Sequence, residues 1–166
     1  MNDALYELLV ARRSKPTDML VRVLVIALIV AVTIFGFPFI GIVALMLSIL
    51  LAVIAYYFIF PKLSVEFEYI LLNHDLQIDA VYNKEKRKPR LSLDIQTAEI
   101  IAPSSSPRLQ SFHPDKTYDF SSGNPDAKTY SILAPIDQSN ICVVIEPDEK
   151  MLHHMSQWMG SKMYLD

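Results

Sequence analysis

VLVIALIVAVTIFGFPFIGIVALMLSILLAVIAYYFIF, residues 23–60, contains no Asp, Glu, Lys, Arg or His. A run of 38 uncharged, almost wholly apolar residues cannot be the core of a small soluble domain. The apolar core of a bilayer is about 30 Å thick and takes about 20 helical residues to cross. As one straight helix, this run would be about 57 Å long. That is too long for one crossing and suits two. Gly36-Phe37-Pro38-Phe39, with Gly41 after it, supplies a break near the middle, because proline has no N–H to donate and restricts the residue before it. The sequence therefore predicts a transmembrane helical hairpin over 19–60, with helices over 19–35 and 40–60. A secretory signal peptide has an apolar core of only about 7–15 residues, so that reading is set aside.

Arg12, Arg13 and Lys15 precede the hairpin, Arg22 lies in its first turn ahead of the uncharged run, Lys62 follows it, and the connecting turn carries no positive charge. The positive-inside rule then predicts a multi-pass protein of the cytoplasmic membrane with both termini in the cytoplasm. Tyr56 and Tyr57 fall near the inner end, where amphipathic rings prefer to sit. Gly41, Ala44, Ser48, Ala52 and Ala55 share one face of the second helix, and Ala27 and Ala31 offer small residues on the first. Small residues let backbones approach closely in lipid. The stripe is expected to pack the hairpin on itself; its alternative use is a homo-oligomer interface. No ionisable group lies within the spans, which argues against a pump or carrier.

Residues 1–18 are expected to form a cytoplasmic N-terminal arm. Leu5, Leu8 and Leu9 fit one face of a short amphipathic helix, which would start at Asn2 or Asp3.

Residues 61–166 carry 11 Lys+Arg against 15 Asp+Glu, an acidic balance that makes nucleic acid an unexpected partner. Here the periodicity is two. Val65, Phe67, Tyr69 and Leu71 alternate with Glu66, Glu68 and Ile70; after Asn73-His74-Asp75, so do Leu76, Ile78, Ala80 and Tyr82 with their neighbours. Two such runs around a short Asn/Asp turn predict a β-hairpin. A charged turn over 84–89 precedes a third strand at Leu91, Leu93 and Ile95. Further strands are expected near 99–102, 117–120, 129–133 and 141–145, punctuated by prolines. The period then changes: Met151, Leu152, Met155, Trp158 and Met159 share a helical face, started by Pro147-Asp148-Glu149 and stopped by Gly160. The expected fold class is α+β: the transmembrane hairpin followed by a small antiparallel β-barrel of pleckstrin-homology (PH) type. Its C-terminal helix is expected to plug the open end with Trp158 and the methionines.

Several stretches carry a resemblance: FIFPKL (58–63), EFEY (66–69), KEKRK (84–88), EIIAP (99–103), YDFSSG (118–123) and EPDEK (146–150). Over most of 55–166 the chain resembles a domain-of-unknown-function family of small bacterial, clostridial-type membrane proteins with two transmembrane helices and a cytoplasmic PH-like domain. The resemblance implies the fold and the membrane location and names no activity. Eukaryotic PH domains bind phosphoinositides through a long basic loop between their first two strands; here the corresponding loop is only Asn73-His74-Asp75.

The strongest local signal is the positive cluster Lys84, Lys86, Arg87, Lys88 and Arg90, suited to anionic lipid headgroups or to a protein partner. No metal site is expected: the four histidines at 74, 113, 153 and 154 do not converge by spacing, and there is no Cys pair. The single Cys142, inside an apolar run, reads as a core residue rather than a nucleophile, and it excludes a disulfide scaffold. No phosphate loop, dinucleotide fingerprint or nucleophile elbow occurs, so no cofactor or catalytic residue is expected. The expected function is a membrane-anchored, non-catalytic interaction module whose PH-like domain engages a protein partner or the anionic membrane surface. The alternatives are a small membrane-shaping or channel-forming oligomer and, further off, an enzyme with an unrecognised site.

Overall fold

A computed structural model describes residues 5–14 and 16–165. They divide into two compact units: the chain up to Arg12 together with everything from Glu66 onwards, and Arg13–Val65.

The second unit is the helical hairpin. α1 spans Pro16–Ile40 and α2 spans Ile42–Ile54. α2 continues through a π-helical turn at Ala55–Ile59 into α3, Phe60–Leu63. The expected break at 36–39 is therefore corrected: α1 runs through Pro38, and the chain reverses at Gly41 alone (φ 56°). Pro38 leaves the Ile34 carbonyl without the donor four residues on and crowds it with its ring, a cost the helix bears within its last turn. The Gly41 N–H donates to the Phe37 carbonyl at 2.9 Å and closes the helix. Gly36 serves a different purpose. A Cβ there would lie 3.1 Å from the Ala44 Cβ, so the glycine lets the two helices approach. Thr33 Oγ1 donates to Ser48 Oγ at 2.8 Å, and Ser48 Oγ donates in turn to the Ala44 carbonyl at 2.8 Å. At the far end of the hairpin, Arg22 Nη2 donates to Ser64 Oγ at 3.0 Å.

The first unit holds eight strands in two four-stranded sheets. β1 (Leu5–Ala11), β2 (Val65–Leu72), β3 (Asp75–Tyr82) and β4 (Lys86–Asp94) form one in that order. β5 (Ile100–Pro103), β6 (Lys116–Asp119), β7 (Tyr130–Ile136) and β8 (Ser139–Ile145) form the other, ordered β5-β7-β8-β6. The ladder does not close around a single barrel. β6 runs parallel to β8, where every strand was expected to be antiparallel. α4, Glu149–Met159, follows β8.

Residues 5–11 are a strand and not the expected amphipathic helix. They pair antiparallel with β2 from Leu5↔Leu72 to Ala11↔Glu66. Leu5, Glu7, Leu9 and Ala11 alternate outward against Tyr6, Leu8 and Val10, a period the leucine spacing concealed. The hairpin Arg13–Val65 is thus inserted in the connection between two paired strands of one sheet.

The alternation in β2 and β3 does what the sequence predicts: Tyr69, Leu71, Leu76 and Ile78 are fully buried, with Ile101, Ile132, Val143 and Ile145 from the second sheet. Tyr69 keeps its hydroxyl satisfied there, donating to the Phe120 carbonyl at 2.6 Å and accepting from the Glu146 N–H at 3.2 Å. Burial pushes the Tyr69 phenol well above its ordinary range. α4 opens on Asp148, whose Oδ1 accepts from the Met151 N–H at 2.8 Å, and ends at Gly160 (φ 53°). It buries Met151, Met155 and Met159, but Trp158 remains 40% exposed. The expected tryptophan plug is corrected accordingly: unbranched methionines fill the interior, and the indole lies edge-on to His74 with centroids 5.4 Å apart.

Candidate functional site

The basic cluster belongs to the edge of the first sheet. The turn itself is only Asn83-Lys84-Glu85, with Asn83 and Lys84 at positive φ, and β4 begins at Lys86. Lys86, Arg87, Lys88 and Arg90 therefore project from a strand rather than from the expected loop over 84–89, and all of them are exposed. β4 lies last in the sheet, and Pro89 supplies no ladder donor there. The register shifts between Ile78 and Asp79, opposite the Pro89–Leu91 stretch.

The five charges are not equivalent. Arg87 Nη2 lies 3.1 Å from Glu68 Oε1. Glu68 is only 5% exposed and its Oε2 has no hydrogen-bond partner, so Arg87 offsets a buried carboxylate within the domain. Arg90 donates to the Tyr82 hydroxyl, and its guanidinium sits 5.9 Å from the centroid of that ring. Among the described residues, the side chains of Lys84, Lys86 and Lys88 make no hydrogen bond or ion pair.

Within the hairpin, Ala44, Ser48 and Ala55 are buried, Gly41 forms the turn and Ala31 is half-buried, whereas Ala27 and Ala52 face outward. The small-residue stripe is thus divided between an inner and an outer face. Tyr56 and Tyr57 are exposed on the π-helical turn, edge to face with centroids 5.2 Å apart.

Cys142 lies with Ile100, Ala102 and Leu133 in a small apolar cluster flanked by Leu109, Phe112 and Tyr164. Burial pushes its thiol pKa up, the wrong direction for a nucleophile. His113 and His153 are exposed, and His154 stacks on Tyr6 with centroids 5.7 Å apart. Tyr6 donates to Asp148, a hydrogen bond that raises the phenol pKa and ties β1 to the start of α4. His74 is the histidine whose surroundings spacing did not reveal. Its partners are carboxylates, Asp75 at 3.6 Å and Asp94 at 3.1 Å. Only the β3–β4 register brings Asp94 to it.

Two sheets, a C-terminal helix on their apolar interior and a helical hairpin long and apolar enough to cross a membrane twice define a PH-like domain coupled to two candidate spans. The chain belongs to the family described as Bacterial PH-like domain (DUF6106), whose model matches residues 2–165. No curated protein and no solved structure matches it. The family match begins before β1, so it takes in the strand, the hairpin and the domain as one arrangement.

Proposed function

We propose that this protein is a non-catalytic interaction module held on the inner face of the cytoplasmic membrane. α1 and α2 cross the bilayer, both termini lie in the cytoplasm, and Lys84, Lys86, Lys88 and Arg90 meet the anionic leaflet. The observation that carries the lipid contact is the edge strand and the turn before it, whose three lysine side chains have no partner among the described residues. Each such charge near an anionic surface contributes about 1 kcal/mol. The attraction fades over about 8 Å at physiological salt. Tethering already holds the domain near the surface, so the lysines set its orientation and not its attachment. Arg87 contributes less, because its charge offsets Glu68.

Two features support the topology. Positive charges flank the hairpin at Arg12, Arg13, Lys15, Arg22 and Lys62, with none at the Gly41 turn. In addition, β1 pairs with β2 at Ala11↔Glu66, so the chain enters and leaves the hairpin at neighbouring points, as two crossings that return to one side need.

The test uses the full chain in nanodiscs of neutral or anionic lipid, with lysine acylation mapped by mass spectrometry. Acylation of Lys84, Lys86 and Lys88 should be slower in anionic discs than in neutral ones, and high salt should remove the difference. Lys128 and Lys150 serve as internal references. Equal labelling of the three lysines in both lipids at low salt would overturn the lipid contact and leave an acidic protein partner as the reading of the cluster.

A further inference from the structure

One corner of the domain gathers His74 in the β2–β3 turn, Asp75 at the first position of β3 and Asp94 at the last position of β4. Asp75 and Asp94 are direct cross-strand partners, an arrangement that like charges destabilise. His74 Nδ1 lies 3.1 Å from Asp94 Oδ1 and 3.6 Å from Asp75 Oδ1, and the three donor atoms all fall within 4.8 Å of one another. Nδ1 is shielded from solvent and has no hydrogen-bond partner. The Asp94 oxygen is therefore close to the nitrogen yet off the line along which an N–H would point, and the Asp75 oxygen lies beyond hydrogen-bond distance.

A hydrogen bond from Nδ1 does not account for that placement, whereas a shared metal ion would. Imidazole nitrogen and carboxylate oxygen bind zinc at about 2.0–2.2 Å, which sets neighbouring ligand atoms about 3.0–3.6 Å apart and off one another's lone-pair axes. Backbone hydrogen bonds hold the His74 turn against the end of β4 and fix the Asp94 carboxylate before any ion arrives. The Ile95 N–H donates to the His74 carbonyl at 2.9 Å, and Asp94 Oδ1 accepts from the Gln96 N–H at 2.8 Å.

We propose that His74, Asp75 and Asp94 bind a divalent first-row transition metal ion of the zinc class, with the remaining coordination positions open to water. One nitrogen and two carboxylates match that class better than magnesium or calcium, which prefer all-oxygen sites. The ion offsets the Asp75–Asp94 repulsion and ties the β2–β3 turn to the end of β4, below Trp158 on α4.

Trp158 is the only tryptophan, and its ring centroid is 5.4 Å from that of His74, so the protein carries its own reporter. The untagged full chain in detergent is titrated with Co2+, an open-shell ion that quenches indole emission. Trp158 fluorescence should fall to a saturating level, excess Zn2+ should restore it, and excess Mg2+ should not. His74→Gln and Asp75→Asn should each raise the half-saturating Co2+ concentration by at least the roughly 10- to 100-fold that loss of a mere supporting partner costs. His154→Gln, one helical turn before Trp158, should leave it unchanged. Asp75 is exposed, so its variant keeps the fold, and melting curves of each variant without metal check this. Non-saturating quenching, or the same titration in His74→Gln and Asp75→Asn as in the parent, would overturn the site. The imidazole then does no more than neutralise the aspartate pair.

Discussion

β1 is the part of the domain that lies farthest from it in sequence, and removing it gives a quantitative test of the fold. A fragment of residues 61–166 retains seven strands and α4 but exposes the edge of β2. Joining Ala11 to Glu66 by a two-residue Asn-Gly turn restores β1 without the hairpin, because those two residues already face each other in the ladder. The loss on going from the spliced chain to the fragment follows from two side chains and the ladder. Val10 is 8% exposed, and burying a valine is worth about 1.5–3 kcal/mol. The Tyr6–Asp148 hydrogen bond, discounted for partial exposure, adds about 1 kcal/mol. The Leu8–Tyr69 cross-strand pair adds about 0.2–1 kcal/mol. The sum is about 3–5 kcal/mol against a typical total of about 5–15 kcal/mol. Urea unfolding followed by circular dichroism should therefore show a cooperative transition for the spliced chain and a much earlier one for the fragment. Within the spliced chain, Tyr6→Phe should account for about 1 kcal/mol of the difference. Coincident transitions for fragment and spliced chain would refute the placement of β1 in the sheet.

Met155→Ala, at a fully buried position, should cost about 2–5 kcal/mol in the spliced domain. Trp158→Ala, which loses chiefly its edge-on contact with His74, should cost about 0.5–1.5 kcal/mol; the reverse order in urea titrations would put the indole inside. Because burial raises the Tyr69 phenol above its unfolded-state value, that residue's contribution is whole below about pH 10 and declines as the pH climbs further. Urea midpoints at successive pH values should accordingly fall above pH 10 and fall less in Tyr69→Phe; a flat parent profile would contradict this. In the hairpin, Gly36→Leu should reduce resistance to unfolding in SDS because its side chain meets Ala44, while outward-facing Ala52→Leu should be neutral. A larger effect at Ala52 would indicate a homo-oligomer interface instead.

Periodicity carried most of the fold. The alternation around Tyr69 and Ile78 and the change of period at Met151 were readable because one face of each element is buried and the other is not. Three features were not readable for physical reasons. Leu5, Leu8 and Leu9 satisfy a helical spacing while their strand partners Leu72, Tyr69 and Glu68 lie beyond the inserted hairpin, and pairing across it leaves no local trace. Pro38 signals a break, but α1 carries it within its last turn and the chain reverses at Gly41, whose positive φ no spacing rule announces. Trp158 sits on the apolar stripe of α4, yet at its margin, where the methionines had already filled the interior. The cluster Lys84–Arg90 was visible as charge alone. That Arg87 is committed to Glu68 depends on how β2, β3 and β4 align, as does the meeting of His74 with Asp94. Side-chain roles set by register are out of reach of composition and spacing.

The proposed placement of the domain on the inner face of the membrane is tested directly by topology reporters. An enzyme active only outside the cytoplasm is fused in turn to the amino terminus, at the Gly41 turn and to the carboxy terminus of the full chain. The account predicts activity for the Gly41 insertion and silence at both ends. Activity at the carboxy terminus would contradict it, because the lysines of β4 would then face the wrong leaflet.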